Sequence, residues 1–225
     1  MTDRLLPLLH LCDSLFPTGA FAHSDGLEWA TDRGLVRSAS DLGEWMDALL
    51  SQVLARADGP GVWRGWHAYV ERDWERLSML NAETLALRPS AVSRQATRAM
   101  GTRLVRTWQQ LYEPAGFEEM FAAVDVERTM TLPPAFGVVC ASAGVEARAA
   151  VGAFIYTRLA SAASAAMRLM AIGQREAHRV LAARLQRVAA TIDTIAAQPT
   201  VSSFAPAIDI ASMSHQYVHS RLFRS

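Results

Sequence analysis

Lysine is absent from this chain, and all 22 of its basic residues are arginine. A P-loop needs a lysine to reach the β- and γ-phosphates, so no Walker-type nucleotide site is possible. Schiff-base chemistry on a side-chain amine is excluded by the same absence. Cysteine is nearly missing too: Cys12 and Cys140 stand far apart and supply no disulfide framework. No run of about 18 uninterrupted apolar residues occurs, so nothing reads as a membrane span. The first residues carry no basic flank, apolar stretch and cleavage site, so no secretion signal is read. The cytoplasm is the expected location. Strict apolar–polar alternation, the mark of a half-buried strand, is also lacking.

What is present is apolar and helical. A chain of 225 residues with 51% hydrophobic content is most simply one domain with a sizeable core. Its formal net charge of zero hides an uneven spread. Residues 1–87 hold 13 acids against 7 arginines, and residues 88–225 hold 15 arginines against 9 acids. Such polarity fits docking on charged protein surfaces. It is a weak footprint for nucleic acid, which calls for a strongly basic domain.

Leu5, Leu8, Leu9 and Cys12 recur at helical spacing and predict a short first helix, broken by Pro17 and Gly19. Asp25-x-x-Glu28 has the shape of a capping box opening a second helix, which Gly34 closes. Asp41 to Ala57 repeats the pattern and ends at the breaker Asp58-Gly59-Pro60-Gly61. Val62 to Leu87 reads as one or two helices, and Ser90 caps another over Ala91–Tyr112. Residues 113–131 are irregular or briefly helical. Pro133 or Pro134 suits the first turn of a helix running to about Ala143. Glu146–Ile172 and Gln174–Ala197 follow as long alanine-rich helices. The expectation is an all-α bundle of about eight to ten helices over residues 1–197, with an irregular docking tail over 198–225.

Two segments at opposite ends carry the sharpest signal. Near the start, Pro17, Gly19, Ala20, Phe21, Ser24, Gly26, Leu27 and Glu28 stand in one register. The chain ends in Ser220-Arg221-Leu222-Phe223-Arg224-Ser225. Together they resemble the urease accessory protein F (UreF) family, whose members carry Pro-x-Gly-Ala-Phe-x-x-Ser-x-Gly-Leu-Glu early and finish in Ser-Arg-Leu-Phe-Arg-Ser. Ser93-Arg94 followed by Gly101, the pair Phe136-Gly137, and Arg168-Leu169 followed by Gly173-Gln174 keep the family's order. Departures fall at polar positions: Thr131 and His178 replace a histidine and a glutamine, Gln216 a glutamate and His219 a tyrosine.

The resemblance implies a protein that is not an enzyme and holds no cofactor, nickel being carried by its partners. It implies a homodimer that binds urease accessory protein D (also called H). That complex recruits the nickel-carrying GTPase, accessory protein G, and docks on apo-urease; nucleic acid and membrane are not among the partners. The candidate partner-binding residues are Phe21, Ser24, Gly26, Leu27 and Glu28 near the start, and Ser93, Arg94, Arg168 and Gln174 in the body. His215, Arg221, Leu222, Phe223, Arg224 and Ser225 complete the set in the tail.

Arg98 joins them on charge grounds, because Arg88, Arg94, Arg98, Arg103 and Arg106 face no acid between Thr84 and Tyr112. An arginine face of this kind is a solvated surface or a docking patch for carboxylates. His215 and His219, spaced i and i+4, would share one face of a helix and suggest a metal pair, the basis of an alternative reading as a helical metal-binding or adaptor protein for a different client. Gln216 occupies the position of the general base in His-Glu-x-x-His and cannot take a proton, so hydrolysis fails on chemistry. Cys140-Ala141-Ser142-Ala143-Gly144 lacks the first glycine and the preceding strand of a nucleophile elbow.

Overall fold

A computed structural model describes residues 2–19 and 23–224, and among them no strand occurs. The chain is all-α. Helix α1 spans Thr2–Cys12, α2 Leu27–Asp32, α3 Ala39–Ala48, α4 Gly59–Val70, α5 Trp74–Ala86 and α6 Ala91–Tyr112. Then come α7 Phe117–Ala123, α8 Val126–Thr129, α9 Leu132–Ser142 and α10 Ala147–Leu169. Helices α11 Gln174–Leu185, α12 Val188–Ala197 and α13 Pro206–Ser214 complete the order. Helix α2 lies within the second helix that was expected to close at Gly34, and α7 and α8 are the brief helices of residues 113–131. The expected long helix over 174–197 is divided between α11 and α12 at Gln186–Arg187.

Helix α9 is the centre. Leu132 through Cys140 are all buried, so this helix is apolar on every side and must be enclosed. Helices α4, α6 and α10 enclose it. The contact with α4 is backbone on backbone. A Cβ on Gly137 would fall onto the carbonyl of Val62 and within 2.7 Å of the Trp66 nitrogen. On the facing helix, a Cβ on Gly65 would lie 2.6 Å from the Pro134 oxygen. Neither backbone can yield without separating the helices. Gly137→Ala should therefore destabilise the fold by about 1–3 kcal/mol, seen as a lower urea midpoint at unchanged slope.

The stretch Asp58-Gly59-Pro60-Gly61 does not break the chain. A π-helix over Leu49–Asp58 joins α3 to α4, and Pro60 enters the first turn of α4. Proline has no N–H to donate and crowds the preceding turn; a wider turn relieves both demands. The glycines that read as breakers serve close packing instead, Gly61 lying against Pro133.

Capping also differs from the first expectation. Ser38 and Asp41 form the capping box of α3, with the Asp41 N–H donating to Ser38 Oγ at 3.2 Å and the Ser38 N–H to Asp41 Oδ2 at 3.0 Å. Helix α2 starts at Gly26, whose φ of 84° is left-handed, and the side chain that accepts an N–H of its first turn is that of Ser24, not Asp25. Asp25 and Glu28 are thereby free for distant partners. Ser90 caps α6 as read, accepting from the Ser93 N–H at 3.3 Å.

Segment 198–225 carries helix α13, followed by a 3-10 turn over His215–Tyr217. Helix α13 packs on α2 and α6, and Ile208, Ala211, Val218 and Phe223 are buried. Gly26 permits this approach, because a Cβ there would stand 2.7 Å from Ala211 Cβ and 3.0 Å from the Ser212 nitrogen.

Candidate partner-docking site

The two end motifs meet. Helix α2 places Glu28, only 3% exposed, under the C-terminal segment. Its carboxylate lies 2.6 Å from Nε2 of His215 and accepts the backbone N–H of Leu222 at 2.5 Å and of Phe223 at 3.3 Å. The Phe223 ring is buried, with the Arg168 guanidinium 4.4 Å from its centroid. Ser24 is buried one turn earlier, and its hydroxyl accepts the Glu28 N–H at 3.4 Å. Leu27 is fully enclosed. Ser24, Gly26, Leu27, Glu28, His215 and Phe223 thus form one internal joint between the start and the end of the chain. Phe21 and Ser225 lie outside the described residues.

The remaining expected positions are placed differently. Arg98, Arg168, Gln174, Arg221, Leu222 and Arg224 are exposed. Arg94 is half-buried and donates to the carbonyls of Arg88 at 2.6 Å and Pro89 at 2.9 Å, tying down the turn between α5 and α6. Arg106 pairs with Glu127 at 2.7 Å, and Arg103 donates to the Thr18 carbonyl at 3.1 Å. The arginine face is therefore largely engaged within the protein. Ser93 lines an internal cavity.

His215 and His219 do not share a helical face. Helix α13 ends at Ser214, and the backbone turns extended at Val218. Among the described residues, no group of three or more His, Cys, Asp or Glu side chains is placed to hold a metal ion. Of the departures, Thr131 is fully buried, and both its N–H and its hydroxyl donate to Asn81 Oδ1, at 2.7 and 2.8 Å. His178, Gln216 and His219 are exposed. Burial pushes the Cys12 thiol up to about 11 and the Cys140 thiol well above its ordinary value. Neither is a ready nucleophile.

A cavity of about 90 Å³ lies beneath α13, roofed by Ala205, Ile208, Asp209 and Ser212 and floored by the π-helix and α6. Two ion pairs line it: Arg158 with Asp25, and Arg88 with Asp58 at 2.6 Å. Arg158 is 8% exposed, and its Nε and Nη1 make no hydrogen bond among the described residues. Burial raises the pKa of Asp25, but the charge and hydrogen bond of Arg158 outweigh it and hold the carboxyl below its ordinary value. Burial also lowers the pKa of His23; Asp25 opposes this, while Arg158, Arg224 and Arg103 reinforce it. Sequence reasoning missed this centre. Its one signal was Arg158 as a single charge inside the apolar stretch from Ala149 to Ala166.

Outside this joint, the segment presents a run of apolar side chains. Ile210 is 51% exposed, Met213 42%, Tyr217 70% and Leu222 58%. Ile210 and Met213 stand on α13 and Tyr217 in the 3-10 turn that follows, and Arg221 and Arg224 flank Leu222. Clustered exposed apolar groups rimmed by charge mark protein interaction surfaces.

The two end motifs of this all-helical chain close on one buried carboxylate. The UreF family model matches residues 36–185, the body between those motifs. The chain belongs to the UreF family. It is 33% identical over 223 residues to the urease accessory protein UreF of Azoarcus sp. (strain BH72), covering 98% of this chain and 95% of that one. It is 31% identical over 225 residues to the urease accessory protein UreF of Dechloromonas aromatica (strain RCB), covering 99% and 98%. Both alignments extend well beyond the span of the family model. No helix among the described residues is long and apolar enough to cross a membrane.

Proposed function

We propose that this protein is a non-catalytic scaffold of urease maturation that binds accessory protein D through its C-terminal segment. The observation that carries this reading is the exposed run Ile210–Met213–Tyr217–Leu222, held on a bundle of family type. The assembly then recruits the nickel-carrying GTPase, accessory protein G, and docks on apo-urease. The chain acts as a homodimer in the cytoplasm. Without a lysine it has no Walker loop of its own, so nucleotide hydrolysis falls to the partner. Nickel is cargo here, carried by partner proteins.

Truncating exposed side chains separates docking from folding. Tyr217→Asp combined with Leu222→Asp places two charges on a surface that a partner must desolvate, at several kcal/mol. Helicity and melting temperature should stay near wild type, because both side chains are largely in solvent. Capture of accessory protein D in a pull-down should fall at least tenfold. Undiminished capture by the double variant overturns the reading.

A further inference from the structure

The Arg158 guanidinium is engaged at Nη2 by Asp25, while its Nε and Nη1 find no acceptor among the described residues. Those two nitrogens carry three N–H donors. A buried donor without an acceptor is costly, and in a native protein such a group calls for a water or an ion that completes it. The side chain lines two neighbouring cavities, one of about 40 Å³ and one of about 90 Å³. A water takes about 30 Å³ of liquid, so the smaller holds about one water and the larger has room for a small oxyanion. Pro89 and Ser203 line the larger cavity and are exposed, which gives it an entrance between the α5–α6 turn and the segment before α13. Ser90 and Thr97 stand on its wall. Their hydroxyl oxygens accept the N–H groups of Ser93 and Leu132, which leaves both hydroxyl protons to give.

Charge decides the class of occupant. Asp25 and Asp58 line the larger cavity, but each already holds a guanidinium, of Arg158 and of Arg88. Burial pushes the third carboxyl there, Asp209, above its ordinary value despite Arg88. At the other end, burial disfavours a proton on His23, and Arg158, Arg224 and Arg103 add to that against Asp25 alone. Arginine therefore outnumbers carboxylate where the free donors stand. A guanidinium has no lone pair for a cation, whereas an oxyanion brings the acceptors that these donors lack. We propose that the larger cavity is a binding site for one small oxyanion, a free carboxylate or phosphate ion, held by the unpaired N–H groups of Arg158 with the Ser90 and Thr97 hydroxyls beside it. The site lies inside the bundle and is independent of the docking role.

The test titrates the full-length protein with sodium acetate and, separately, with sodium phosphate at pH 7, sodium chloride holding the ionic strength constant. The Nε–H resonance of Arg158, assigned by its loss when Arg158→Leu is combined with Asp25→Ala, is followed by NMR. At least one of the two salts should shift it saturably, with a midpoint below about 10 mM. The salt with the lower midpoint tells whether the site takes a flat carboxylate or a tetrahedral phosphate. At ten times that midpoint the melting temperature should rise by about 3–6 °C over the chloride control. Ala96→Leu adds three carbons to the buried wall and leaves Arg158 and Asp25 in place; its midpoint should be at least tenfold higher. Where Ala96→Leu does not fold, the Arg158→Leu/Asp25→Ala protein decides, because its melting temperature should no longer respond to the salt beyond the chloride control. No saturable shift with either salt leaves water as the sole occupant and overturns the inference. An undiminished response in the filled or the charge-free variant overturns it as well.

Discussion

Truncation after Pro206 should lower the melting temperature by about 5–10 °C and abolish capture of accessory protein D. The deletion removes Ile208, Ala211, Val218 and Phe223, all buried against the bundle. Full burial of each large apolar side chain contributes about 1.5–3 kcal/mol. Ordering the segment offsets much of that gain, leaving a net loss of about 2–3 kcal/mol. At this chain length each kcal/mol moves the midpoint by about 2–4 °C. The deletion also strips Glu28 of its tail donors and unroofs the cavity beneath α13. Calorimetry and a pull-down on the same preparation read both effects. A melting temperature equal to wild type would show that the segment does not pack on the bundle in solution.

Asp25→Ala is the second large effect. It leaves the Arg158 guanidinium buried without its hydrogen-bonded ion-pair partner and with Asp58 as its remaining acidic neighbour, and breaking a buried pair in this way costs about 3–5 kcal/mol. The Asp25 side chain retains 31% exposure, so solvent screens part of the charge and the expected loss is about 2–4 kcal/mol. Adding Arg158→Leu should recover part of it, because the orphaned charge is then gone. Urea denaturation at pH 7 measures both variants, and equal stability of the single and double variants would exclude the ion-pair explanation.

The pair also fixes a pH signature. The folded-state pKa of Asp25 lies below its ordinary 3.8, so the carboxylate is stabilising above that value. That contribution disappears as the pH falls through the folded-state pKa. Wild type should therefore lose stability on acidification below about pH 4 more steeply than Asp25→Asn does, as read from melting temperatures between pH 7 and pH 3.

Much of the helical layout was legible from local pattern. Ser90 followed by helical periodicity marks α6 at its true start, and Pro133-Pro134 marks the opening of α9. These signals are local: a cap and its helix lie within one turn, and proline fixes its own φ. The misreadings were local rules overruled by distant partners. Asp58-Gly59-Pro60-Gly61 has the composition of a break, yet Gly59 packs against Ile195 of α12 and Gly61 against Pro133 of α9, and a π-turn carries the chain up to Pro60. Asp25 and Glu28 have the spacing of a capping box, but their partners lie 133 and 187 residues away. Beyond α13 the tail is aperiodic because its order comes from isolated anchors, the Glu28 carboxylate and the buried Val218 and Phe223, which leave no repeating pattern.

The sequence by itself determined that this chain is helical, that it has no nucleotide-binding lysine, and through its two end motifs which family it belongs to. Those features depend on residue type and short-range order, which survive without a structure. Only the tertiary structure decided which candidate residues face solvent and which hold the protein's own tail. Glu28, His215 and Phe223 are buried together, whereas Arg98, Leu222 and Arg224 face solvent. Burial is a property of the whole packed chain: the same glutamate is a surface cap on an isolated helix and an internal clamp once α13 closes over it.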